Sequence, residues 1–336
     1  MQTSKECVIK AIEFDYPDRM PVSTEIGEIF EEDKEFPGIF LKQFPTDILQ
    51  VINFSTSYCD GEKGFDEYGC EWRNFGHTQG EVVVNPLKDW KNFDKWKENI
   101  PDFKDDNRYK GVEEIRTENP DKFIIGGIGL MMTNLIHFRG FSNFMMDFYS
   151  EKEKLEKLTD ILYQGARDSI EKYSGLGLDA VITWEDWGLQ DRLMISPDLW
   201  RSFFKEKMRD LVDFVHKKKM KYVFHCCGYI LDIIEDFIDI GVDVLNLDQQ
   251  NNMGLKNLEK FKGRICFFNP ADIQFMSNND DYESIRRYCA EMVDRLSDRS
   301  GGFIYHAYSQ PGSVEIIHSS IIEEARAFLS YNHYKK

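Results

Sequence analysis

The sequence predicts an α/β protein folded as a (β/α)8 barrel of the TIM type, with an inserted β-hairpin arm near the N-terminus. Three observations carry this. Short β-branched and aromatic runs recur (Phe123 to Gly127, Ala180 to Thr183, Tyr222 to Phe224, Val242 to Asn246, Ile265 to Asn269, Gly302 to His306). Segments with apolar residues at helical spacing separate them, as in Ile230, Ile233, Ile234, Phe237 and Ile238, closed by Gly241. Strand then helix in regular alternation closes most simply as a parallel barrel. Polar residues also gather just past each run, at the carboxyl edge where such folds bind ligands.

The elements follow in order. Ser4 to Phe14 predicts a helix, and the turn Pro17-Asp18-Arg19-Met20-Pro21 leads into a first strand at Val22 to Thr24. Phe44 to Ser55 contains a second strand after a Pro-Thr-Asp turn. Residues 61–86 alternate and are glycine-rich, which predicts antiparallel hairpins, and residues 87–107 predict short helices over the outside. After the FIIGG strand come helices over Met131 to Phe138, Phe141 to Phe148 and Lys152 to Leu176. Ser196-Pro197-Asp198 opens a helix to about Lys218, with N-cap serine and proline at the first turn. Further helices are predicted over Asp281 to Ser297 and Ile321 to Tyr331. The whole, residues 1–336, reads as one barrel domain carrying the 61–86 arm.

With 336 residues, 42% of them hydrophobic, the chain can bury a large core. Its net charge of −17 opposes nucleic acid or an anionic membrane as partner, because a polyanion is repelled at long range. No apolar run approaches the roughly 20 residues of a membrane span, and the N-terminal stretch lacks a signal-peptide core. Seven scattered cysteines, an odd number, suit reduced thiols. A cytoplasmic protein is expected.

Residues that follow different strands meet at one face of a barrel. The candidates are Glu25, Trp184, Glu185, Asp186, Trp187, Gln190, His225, Cys227, Asn246, Asp248, Gln249, Asp272, His306 and Gln310. His225 and Cys227 form a His-x-Cys pair at a strand end, and imidazole with thiolate suits zinc. The plainer alternative is a histidine bonded to a main-chain carbonyl beside a buried thiol. Cys226 should point away from Cys227 if the strand alternates. Glu185 and Asp186 lie between Trp184 and Trp187 just past a buried run, where carboxylates could do acid/base work or bind a cation. An ordinary acidic loop and a rim histidine at His306 are the alternatives there.

Several segments together resemble the uroporphyrinogen decarboxylase superfamily: Pro17 to Val22, Asp66 to Trp72, Trp184 to Gln190, Ile195-Ser196-Pro197, Phe224 to Gly228, Ile240 to Asn246 and Gly301 to Ile304. The resemblance implies a (β/α)8 barrel with its site at the carboxyl face. It also implies either a cofactor-free decarboxylase or a zinc-dependent methyltransferase working with a corrinoid carried by a partner protein, and it makes a homodimer through the arm or rim plausible. Where true decarboxylases carry an arginine-rich loop, this chain reads Ser23-Thr24-Glu25-Ile26-Gly27-Glu28, so acid replaces base. The thiol-directed methyltransferases supply His-x-Cys and a distant cysteine; here Tyr305 to Gln310 contains none, so that His306, Glu185 or Asp186 would replace it, or the site would hold no metal.

The expectation is a zinc- and corrinoid-dependent methyltransferase for a small methylated substrate, closer to that branch than to true decarboxylases. His225 and Cys227 would hold zinc. Glu185, Asp186, Gln190 and Asp272 would serve catalysis. Glu25, Trp184, Trp187, Asn246, Asp248, Gln249 and His306 would line the substrate site. Two rivals remain: a metal-free lyase using Asp186 or Asp272 toward a pyrrole-like ring, and a non-catalytic ligand-binding barrel.

Overall fold

The computed structural model describes residues 2–24, 35–52, 63–75, 80–307 and 316–331. Eight parallel strands form the barrel sheet: β1 (Val22–Ser23), β2 (Ile48–Ile52), β6 (Phe123–Gly127), β7 (Ala180–Glu185), β8 (Lys221–Cys226), β9 (Val244–Asn246), β10 (Cys266–Asn269) and β11 (Phe303–His306). Between β2 and β6 lie β3 (Lys63–Phe65), β4 (Glu71–Arg73) and β5 (Glu81–Val84), a three-stranded antiparallel arm. The ladder runs β1-β11-β10-β9-β8-β7-β6-β2, which leaves one seam between β1 and β2. Hydrogen bonds bridge that seam, from Asp47 N to Val22 O at 2.8 Å and from Thr24 N to Thr46 Oγ1 at 3.2 Å. The Asp47 carboxylate secures its lower end, accepting from Val22 N, the Ser4 hydroxyl and the Arg19 guanidinium. The barrel is therefore nearly closed.

Alternation along the strands divides the core in two. Ile48, Phe123, Ile125, Ala180, Ile182, Val223, Val244, Cys266, Phe268 and Ile304 fill the barrel interior. Their neighbours, such as Ile124, Val181, Tyr222, Phe224, Leu245 and Phe303, pack outward against the helices. The N-terminal helix Ser4–Ile12 is begun by a capping box between Thr3 and Glu6. It adds Val8, Ala11 and Ile12 to the interior cluster and so plugs the amino end. At that contact Gly302 N donates to Ala11 O at 2.8 Å, and a Cβ on Gly301 would stand 2.7 Å from the same oxygen. The N-terminal helix thus closes the amino end of the barrel.

Most expected elements occur, with shifted ends. The N-terminal helix stops at Ile12, short of Phe14, and the last helix spans His318–Ser330. The helix opened by Ser196 contains a π-helical turn at Arg201–Lys205 before continuing as Glu206–Lys217. Ser196 accepts from Leu199 N at 3.2 Å, as its N-cap position predicts. The arm is tied at its base by Asp66, which accepts from Tyr68 N, Cys70 N and the Trp72 indole. Trp72 packs edge-on against His137, and Tyr68 meets Phe138 at a tilt, so the arm rests on the helix Met132–Arg139 beside the mouth. No helix among the described residues is long and apolar enough to cross a membrane.

Candidate metal centre at the carboxyl mouth

Three adjacent strands build the site. The register pairs Trp184 of β7 with His225 of β8, and His225 with Asn246 of β9. These three face inward at one level, and the residues two positions further on, Asp186, Cys227 and Asp248, return to the same face one level higher. The turns that carry the upper level are pressed together. Cys227 N donates to Glu185 O at 3.0 Å and Tyr229 N to Leu189 O at 2.8 Å. Gly228 has φ of +77°, and a Cβ there would lie 2.2 Å from Gly188 O, so the HCCG turn needs glycine for both conformation and space.

His225, Cys227 and Asp248 each offer one ligand atom, and the three atoms lie within 4.8 Å of one another. Cys227 Sγ stands 3.5 Å from His225 Nε2. Ligands of tetrahedral zinc lie roughly 3.4–3.8 Å apart, given its usual bond lengths. Asp248 is 3% exposed, and its Oδ1 has no hydrogen-bond partner. A buried carboxylate oxygen left unpaired is costly unless something cationic meets it. Burial pushes the Cys227 thiol well above its ordinary range, with Asp248 and Asp186 adding to the effect. Burial likewise raises Asp248, against the pull of His225. A divalent cation would reverse both shifts by favouring thiolate and carboxylate. The donor set therefore fits zinc, with thiolate, imidazole and carboxylate all suited to it.

Around this set, the Asp186 carboxylate is near enough to the Cys227 thiol to raise its pKa further. His306 lies beneath, its ring 4.7 Å from that of Phe268, and burial lowers its pKa to about 3, so it is neutral. Trp184 is half-buried at the His225 level. Gln249 Oε1 accepts from Gly228 N at 3.0 Å, pinning the HCCG turn to the loop after β9. Gln190 is exposed on the rim, 3.4 Å from Gln274.

Three expected site residues sit elsewhere. Glu185 has the opposite parity to Asp186 and faces outward, where its carboxylate accepts from the main-chain nitrogens of Met131, Met132 and Thr133, the Thr133 hydroxyl and the Trp187 indole. It caps the helix Met132–Arg139, and burial pushes its pKa up to about 7 against those donors. Trp187, 1% exposed, is enclosed by Trp200, Phe204, Phe224 and Phe237 and cannot line a substrate pocket. Asp272 caps the helix Ile273–Met276 through Gln274 N and Phe275 N, and its other oxygen holds Asn251 N. Glu25 and Gln310 lie outside the described residues.

Among the described residues, the side chain whose donor atom converges with those of His225 and Cys227 is Asp248, where His306, Glu185 or Asp186 had been expected. A signal for it exists in the sequence: Asn246-x-Asp248 ends β9 with the same spacing as His225-x-Cys227 ends β8. His137, absent from the expectations, is also near enough for Asp186 to act on it electrostatically, though burial lowers its pKa to about 4.

A parallel barrel with a soft and hard donor set over three adjacent strand ends defines a class of carboxyl-face site rather than one reaction. The chain belongs to the uroporphyrinogen decarboxylase (URO-D) family, whose model matches residues 65–307. Among solved structures it is similar to a methyltransferase from Methanosarcina mazei, at 18% identity and a TM-score of 0.71 over 98% of each chain. It is also similar to a B12-independent methionine synthase from Shewanella sp. W3-18-1, at 10% identity and a TM-score of 0.51, over 92% of this chain and 93% of that one. Both likenesses establish the shared barrel fold. No curated protein matches the chain.

Proposed function

We propose that this protein is a zinc-dependent methyltransferase that moves a methyl group between a small methylated substrate and a thiol or a corrinoid carried by a partner protein. The observation that supports it most is the convergence of ligand atoms of His225, Cys227 and Asp248 within 4.8 Å, with Asp248 Oδ1 buried and unpaired. Zinc held by them would supply a Lewis acid and keep a bound thiol deprotonated near neutral pH. The chain's own residues have definable parts. Asp186 lies beside the thiol and could orient an incoming group, and the half-buried Trp184 offers an apolar surface below it. The names of the methyltransferase and methionine synthase with related folds agree with this chemistry.

Decarboxylation is the second reading, favoured by the family match. The charge at the mouth weighs against a substrate with many carboxylates. Asp186 and Asp248 occupy it, and among the described residues that directly follow barrel strands none is lysine or arginine. Elemental analysis of the purified protein decides the first point: about one zinc per chain is expected, lost in Cys227→Ser and Asp248→Ala. Methyl transfer from methylated amines, thiols and aromatic ethers to free cobalamin should then depend on that zinc. A metal-free protein that decarboxylates a porphyrinogen would overturn the reading.

A further inference from the structure

Asn246 was expected to touch substrate, but its surroundings give it another task. It is 2% exposed and level with His225 on the next strand. Its side-chain nitrogen donates to the Phe268 carbonyl and, at 3.4 Å, to His306 Nδ1, while its side-chain oxygen lies 2.8 Å from His225 Nδ1. Amide oxygen and nitrogen are alike in outline, so their assignment needs an anchor. Phe268 supplies one, because a main-chain carbonyl can accept and never donate. The amide atom facing it must be nitrogen, which leaves oxygen toward His225. That oxygen cannot donate, so the proton between the two residues belongs to His225 Nδ1. A neutral imidazole carries a single proton, and Nε2 is left bare. It is Nε2 that stands 3.5 Å from Cys227 Sγ.

We propose that Asn246 is a positioning residue that locks His225 in the Nδ1–H tautomer and so presents a bare Nε2 to Cys227 and Asp248. The inference rests on the zinc reading of that site, since metal binds the unprotonated ring nitrogen and the partner of the other nitrogen sets which one that is. His306 extends the lock: by accepting the second amide hydrogen it holds the Asn246 side chain against rotation. Both amide hydrogens are then engaged within the protein, and no donor of Asn246 is left for a substrate. The Phe268 carbonyl, three strands' breadth of packing and His306 thus decide the chemistry of a group none of them needs to touch.

The test is spectroscopic. Zinc-free full-length protein with 15N-labelled histidine should show His225 protonated on Nδ1 and bare on Nε2, the residue being assigned by its absence in His225→Gln. Asn246→Leu keeps the bulk and removes both hydrogen-bonding atoms. In it the Nε2–H tautomer should appear, and zinc affinity measured by chelator competition should fall roughly 10- to 100-fold. Asn246→Asp retains an oxygen toward Nδ1 and should recover the Nδ1–H tautomer. A wild-type His225 protonated on Nε2 overturns the proposal without reference to any variant's folding, as does an Asn246→Leu protein with unchanged tautomer and zinc affinity. Wild-type protein that takes up no zinc but has His225 protonated on Nδ1 removes the metal centre and supports the lock.

Discussion

Glu185 and Asp186 are consecutive, yet they face opposite sides of β7: Glu185 caps the helix Met132–Arg139 behind the sheet, and Asp186 lies beside Cys227 in the mouth, where its charge raises the thiol's pKa. Truncation should separate the two roles. Glu185→Ala orphans main-chain donors in a buried place and should cost about 2–4 kcal/mol of stability in urea unfolding. Asp186→Asn should leave the unfolding midpoint nearly unchanged and reduce turnover. Equal stability losses in both variants would contradict this division.

Removal of metal should be visible without an assay of activity. A ligand that binds the folded chain alone stabilises it by about 4 kcal/mol at a thousand times its dissociation constant. Chelator should therefore lower the melting temperature of wild-type protein, and added zinc should restore it. Asp248→Ala and Cys227→Ser should start at the lowered value and respond to neither treatment.

Gly228 and Gly263 both have positive φ, of +77° and +72°, but differ in space. A Cβ at Gly263 meets nothing within 4 Å, whereas one at Gly228 meets Gly188 O at 2.2 Å. Gly263→Ala should thus cost only the conformational strain, about 1 kcal/mol. Gly228→Ala should cost about 3 kcal/mol or more and displace Cys227, abolishing zinc uptake. Comparable unfolding midpoints for the two variants would rule out the steric account.

Glu324 is 2% exposed on the last helix and accepts from Ala271 N at 2.6 Å. Burial raises its pKa to about 8, above the ordinary 4.5. The folded chain holds this proton where the unfolded chain has released it, so its contribution to stability is complete below about pH 4.5 and fades as pH rises through about 8. Unfolding measured across that window should show stability falling by at most about 1.4 kcal/mol per pH unit from this group. Glu324→Gln should flatten the slope; a slope identical to wild type would assign the dependence to other groups.

Much of this was legible in one dimension. Alternation and helical spacing are local properties, so the strand at Phe123–Gly127, the helix Lys152–Gly175 and the turn after His225 could be read from residues close in sequence. The same local rule placed Cys226 outside the mouth, and applied to β7 it would have sent Glu185 and Trp187 outward as well. The His-x-Cys pair was visible because both donors belong to one strand end.

What the tertiary structure alone decided is which strand ends stand level. Asp248 lies 21 residues beyond Cys227, and no local pattern says that β9 pairs with β8 so as to bring Asn246 beside His225. Pairing between strands depends on how the intervening helix packs back on the sheet, a sum of many contacts distant in sequence. The same holds for Asp272, whose carboxylate finds main-chain donors in the helix it begins and, from Asn251, in the segment after β9. The residue types that could do chemistry were fixed by composition and local order; their roles were set by which faces and levels the folded sheet allowed them to share.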